Sequence, residues 1–166
     1  MASRKSAKVK AVNLDFLKNI QATLTDLKRV KVGIIGNQAT EKHAGTFQTN
    51  AEIGLLQEIG SIRARIPARS FLKMPIMRNQ REFKQFLLEN KDKVLELILE
   101  GKEDELFAKI GIKAEAYIQE AFDTRGFGQW QENSPYTVSM KGSDSPLIDT
   151  AQLRRSISSE VHEKNR

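Results

Sequence analysis

With 166 residues, 39% of them hydrophobic, the chain has enough apolar side chain for one core-bearing domain and too little for two. It has no cysteine, which excludes a disulfide framework and any thiolate metal site. Lys and Arg number 27 against 21 acids, so a net charge of +6 points toward phosphate-bearing or acidic partners; no apolar run approaches a membrane span, and MASRKSAKVK lacks the apolar stretch of a secretory signal. The expectation is a soluble protein made inside the cell.

Residues 1–12 carry Arg4, Lys5, Lys8 and Lys10 with almost nothing to pack, and predict a flexible basic arm. From Asn13, Phe16, Leu17, Ile20, Leu24 and Leu27 recur at three- and four-residue spacing. That spacing predicts an amphipathic helix packed on a sheet. Val30 to Ile35 is β-branched and bounded by glycine, the strongest strand signal in the chain. Gly33 and Gly36 have the wrong spacing for a phosphate loop, and read as a bulge and a strand end. The polar run Asn37 to Thr49 predicts a surface loop of functional length, suited to reaching a neighbouring subunit in a ring-forming protein.

The stretch from Ala51 to Met74 joins two apolar anchors through a basic turn. Ile53, Leu56 and Ile59 keep helical spacing behind Asn50, the expected N-cap, and Gly60 is the expected stop. No acid occurs between Ile59 and Arg81, while Arg63, Arg65, Arg69 and Lys73 lie within that run. Pro67 holds its own φ and pushes Ile66 toward extended backbone, so Arg65 and Arg69 are expected on a defined loop. Two readings stand side by side: a solvated basic loop, and a contact surface for nucleic acid or an acidic partner.

Phe83, Phe86, Leu87, Val94, Leu97 and Ile98 predict a long helix from Ile76 to Glu100, ended by Gly101. Glu103, Asp104 and Glu105 then suit the first turn of a second long helix, continued by Phe107, Ile110, Ala114, Tyr117, Ile118 and Ala121. Gly126 to Ser145 reads as polar loop, with Trp130 placed either to anchor an interface or to fold back and cap the core, the cap being the preferred reading. Pro146 to Ile157 contains a tight connection near Asp149 or Thr150, and the alternation from Ser156 to Val161 predicts a sheet-closing strand.

The catalytic inventory is thin. His43 and His162 are the only histidines, so neither a metal site nor a cofactor site is argued. Ser156, His162 and Asp149 have no nucleophile-elbow pattern around the serine, and no enzymatic role is assigned.

The run Ile53-Gly54, Gln57-Glu58-Ile59-Gly60 and Ile66-Pro67-Ala68-Arg69-Ser70-Phe71-Leu72 resembles the signature of the phage virion-morphogenesis and tail-completion proteins. Ser70 stands where that family usually has proline, and Ile59 where phenylalanine is common. Further on, Trp130, Thr137, Lys141 and the block Leu147 to Ile157 are similar to the family's terminal pattern, with Ala151 in place of its glycine. A left-handed backbone at Ala151 would be strained. The two blocks fall in the family's order and span Val32 to Val161.

The resemblance implies a structural virion protein of a tailed-phage neck or tail. It would be assembled in the host cytoplasm as a ring of copies of itself, hexameric in number, and complete the tail and mediate head–tail joining. The implied partners are the tail tube or tail terminator and head-connector proteins, with transient contact to DNA in the lumen and none to a membrane. The alternative is a basic nucleic-acid-binding module without catalytic activity. Candidate partner- or DNA-facing residues are Arg63, Arg65, Arg69, Lys73, Arg154 and Arg155. The expected architecture is α+β: a small twisted, mainly antiparallel sheet packed by the N-terminal helix and two long helices. It occupies residues 13–161 as a single domain, with a flexible C-terminus at 162–166.

Overall fold

The computed structural model describes residues 28–163; the basic arm, the helix expected from Asn13 and residues 164–166 lie outside the described residues. The β-branched run forms strand β1, Arg29–Ile34, which pairs antiparallel with β2, Ile157–His162, the only sheet among the described residues. Register runs from Arg29 opposite His162 to Ile34 opposite Ile157. Cross-strand partners share a face, so Val30, Val161, Val32, Ile34 and Ile157 lie together. Arg29, Lys31, Glu160 and His162 make the other face polar. His162 thus closes the ladder instead of starting a flexible tail, and Glu163 accepts an ion pair from Lys28 at 3.0 Å.

Between the strands the chain is helical, giving a small α+β fold. The helices are α1, Gly36–Thr40; α2, Asn50–Ile59; α3, Lys73–Arg78; α4, Gln80–Glu89; α5, Lys91–Leu99; α6, Glu103–Asp123; α7, Pro135–Lys141; and α8, Gln152–Arg155. The run expected as one helix from Ile76 to Glu100 is three, interrupted at Asn79 and Asn90. Both asparagines have ψ near zero, at 11° and 16°, outside the helical well. Asn90 also turns its side-chain amide back onto the Phe86 carbonyl at 2.8 Å, the local competition that makes asparagine a poor residue for a helix interior. By contrast, the 21-residue α6 runs unbroken with Glu103, Asp104 and Glu105 in its first turn.

Helix α6 lies across the apolar face of the sheet. Gly111 permits this, because a Cβ there would collide with the Ser159 side chain on β2. Phe71, Ile118, Ala121, Phe122, Trp130, Leu153 and Ile157 form the buried core. Phe122 sits between two aromatic neighbours, with ring centroids 5.4 Å from Phe71 and 5.7 Å from Trp130, the latter edge-on. Trp130 caps the core as expected and donates its Nε1–H to the Ser70 carbonyl at 3.3 Å. Ala151 adopts φ 58°, a left-handed conformation, so this turn carries the strain a glycine would avoid.

Candidate functional site

Two loops flank α2, and each ends in an exposed apolar side chain. The first, between α1 and α2, lies on the surface as its composition predicts, but Asn37 to Thr40 belong to α1 and the remainder has a fixed fold. Lys42 pairs with Thr49 across an antiparallel bridge, and His43 N–H donates to the Gln48 carbonyl at 2.8 Å. The base is fixed from two sides. Asn50, fully buried, accepts at Oδ1 from the His43 Nδ1–H at 2.8 Å and donates from its amide to the Gln38 carbonyl at 3.0 Å. Gln152, on α8, donates to the Lys42 carbonyl at 2.9 Å and accepts from Ala44 N–H at 2.8 Å. Asn50 is therefore an anchor and not the expected N-cap; Thr49 takes that role, in a reciprocal capping box with Glu52. At the tip, Phe47 is 96% exposed.

The second loop follows Gly60, whose φ of 71° and contact with the Ala68 backbone leave no room for a side chain. Ser61 and Ile66 exchange two backbone hydrogen bonds of 2.8 and 2.9 Å, closing a four-residue tip. Ile62, Arg63, Ala64 and Arg65 form that tip, with Arg65 at φ 53° and Ile62 fully solvent-exposed. The far side of the loop is locked by Glu58. Its carboxylate accepts from the Ser70 hydroxyl at 2.6 Å and from the Phe71, Leu72 and Lys73 N–H groups at 2.8, 2.9 and 3.1 Å. One carboxylate on α2 thereby satisfies three successive donors leading into α3, and the Ser70 hydroxyl takes the next, from Met74 N–H at 3.0 Å.

The six candidate basic residues divide. Arg63, Arg65, Lys73 and Arg155 are exposed and form no ion pair with another described residue. Arg69 does not face outward as expected. It is 7% exposed, and its guanidinium donates to the carbonyls of Gln131 and Glu132 and to Asn133 Oδ1 at 2.8, 3.1 and 3.2 Å. With its backbone N–H on the Gln57 carbonyl at 2.7 Å, it ties the loop to the segment after Trp130. Burial pulls its pKa down from the usual arginine value, yet a guanidinium stays charged at neutral pH. Arg154 is also engaged internally, with Nε on Gln119 Oε1 at 2.6 Å and Nη1 on Asp123 at 2.7 Å, which fastens α8 to the end of α6.

Ser156 is buried and donates its hydroxyl to the Leu153 carbonyl at 2.7 Å, while His162 sits at the far end of β2 and pairs with Glu160. The strand's length separates those two side chains. No cluster of potential metal ligands occurs among the described residues. No described helix is long and apolar enough to cross a membrane.

The sequence reading missed Phe47, Ile62, Glu58 and Gln152. Phe47 and Ile62 carried a signal, being large apolar residues in polar stretches with no periodic partner. Glu58 and Gln152 lie inside the two resembling blocks, but nothing local marked their roles, because their partners lie 12 to 15 and 108 to 110 residues away in sequence. No family model, curated protein or solved structure matches the chain.

Proposed function

We propose that this chain is a structural assembly protein of a tailed-phage neck or tail end, completing the tail and joining it to the head as a ring of its own copies. The observation that carries an assembly role is the pair of anchored loops that offer Phe47 and Ile62 to solvent. A lone exposed hydrophobic residue is ordinary on a protein surface. These two differ in setting: each stands at the tip of a loop whose base is held by side chains from distant parts of the chain. Pre-organised tips lose little conformational entropy on docking, which suits contacts between subunits. The phage assignment rests on the two sequence blocks around Ile66 to Leu72 and Leu147 to Ile157. Several residues of those blocks do identifiable work in the fold: Glu58, Arg69 and Ser70 brace the second loop, and Leu153 and Ile157 enter the core.

The test combines light scattering with complementation of tails purified without this protein. Wild-type chain should form a ring, or join those tails and restore head attachment. The double variant Phe47→Ser, Ile62→Ser should fold with unchanged stability and do neither. Unimpaired assembly by that variant would remove the loops from the interface. A monomer that ignores tails and binds DNA with a steep salt dependence would instead favour the nucleic-acid reading, carried by Arg63, Arg65, Lys73 and Arg155.

A further inference from the structure

Where the bases of the two loops meet there is a cleft of about 180 Å³ lined by His43, Gln57, Arg69, Lys141, Asp149 and Thr150 among others. Its charge balance is unusual. Arg69 gives Nε and both Nη2 hydrogens to neutral oxygens, and its Nη1 group donates to no described residue. No carboxylate of a described residue pairs with it, although it is more than nine-tenths buried. With the rest of the guanidinium satisfied by neutral acceptors, Nη1 is the donor that an occupant of the cleft would meet.

Lys141 is the second cation. Its Nζ donates to the Ser145 carbonyl at 2.9 Å, leaving two N–H donors. Burial pushes its pKa down, the neighbouring Arg69 charge adds to that, and Asp149 acts in the opposite direction. Asp149 is exposed. The backbone N–H groups of Asp149, Thr150 and Ala151 donate to no described residue and belong to the same wall. Two cations against one carboxylate leave an excess of one positive charge.

We propose that this cleft binds a single carboxylate group, held by Arg69 Nη1 and the Lys141 ammonium, whatever the two loops themselves engage. The net charge matches a monoanion, and Asp149 disfavours a dianion such as phosphate by like-charge repulsion. A guanidinium and an ammonium directed at one carboxylate make charge-assisted hydrogen bonds in a partly desolvated site.

Acetate and propionate, which carry the carboxyl groups of aspartate and glutamate side chains, are the probes. Each is titrated into the whole chain at pH 8, where inorganic phosphate is chiefly the dianion, at constant ionic strength against sodium chloride, read by amide and guanidinium NMR shifts and by Tm. Saturable shifts at Thr150, Ala151 and Arg69, with a rise in Tm that chloride does not produce, are expected. Lys141→Met should weaken binding about ten-fold, the loss of one charge-assisted hydrogen bond. Asp149→Asn should strengthen it several-fold and admit phosphate. Absence of saturation in the wild type would overturn the proposal, as would tighter binding of phosphate than of acetate. Weaker binding in Asp149→Asn would also overturn it, by making Asp149 the resident counter-ion. The wild-type and Asp149→Asn measurements decide the matter even if Lys141→Met fails to fold.

Discussion

The loop from Gly60 to Ser70 and the helical arm from Gln80 to Leu99 invert the usual association of regular structure with firm attachment. The loop has no helix or strand, yet Glu58 on α2 and Trp130 reach into it, and its own Arg69 ties it to the segment after Trp130. The arm is almost wholly helical, yet α4 buries no residue and α5 buries only Leu97. Its ties to α6 include a single polar node, in which Glu82 accepts from Lys113 Nζ at 3.0 Å and from the Tyr117 hydroxyl at 3.1 Å, with Lys113 also 5.3 Å from the Phe86 ring centroid. Backbone hydrogen bonds inside a helix fix its shape but not its place. Contacts between elements fix place, and the loop makes more hydrogen bonds to the rest of the chain than the arm does to α6.

The largest effect that would break this contrast is expected at Glu58. Glu58→Ala leaves the Phe71, Leu72 and Lys73 donors without their acceptor, and should cost about 3 kcal/mol in denaturant unfolding. Glu58→Gln, which keeps one oxygen, should lose less. Arg69→Met comes next. It strands the Gln131 and Glu132 carbonyls and is expected to cost about 2 kcal/mol, with faster hydrogen exchange at Ser61 and Ile66 than at the arm. An equal acceleration in both regions would mean that the loop is not separately braced.

A smaller change in the opposite direction is expected at the turn beside the same cleft. Ala151→Gly relieves the left-handed strain and should stabilise the protein by up to about 1 kcal/mol, less the entropy glycine gains in the unfolded chain. A loss of stability there would show that the turn is not strained.

The arm responds to acid. Hydrogen bonds from Lys113, and then from Tyr117, hold the Glu82 carboxyl below the ordinary glutamate value. A depressed carboxylate contributes fully above its unfolded pKa and loses that contribution as pH falls through the folded value. The node should therefore persist at neutral pH and release only below the ordinary glutamate range, seen as exchange broadening in α4 amides while the loop amides stay sharp. Tyr117→Phe, removing one donor, should move that release toward higher pH. Broadening in the loop at the same pH would erase the distinction between the two regions.

How much of this was legible in the sequence follows the range of the interactions involved. Local patterns carried far: a β-branched run placed β1 and alternation placed β2, each within a residue, and three acids marked the start of α6. The same patterns failed at Asn79 and Asn90, where apolar periodicity continued through residues whose backbone left the helix. Charge was the least reliable guide. Arg63, Arg65 and Arg69 are alike in composition and close in sequence, yet two face solvent and the third is buried against carbonyls some 60 residues away. Periodicity, turn chemistry and charge count are properties of neighbouring residues, so the sequence by itself determined which segments are strands and helices and that a basic loop lies among them. Which arginine is exposed, which carboxylate caps α3 and what closes the cleft depend on groups brought together only when the Trp130 segment packs against α2 and the loop that follows it. Those were decided by the tertiary structure, because a hydrogen bond's partner is set by distance in space and not along the chain.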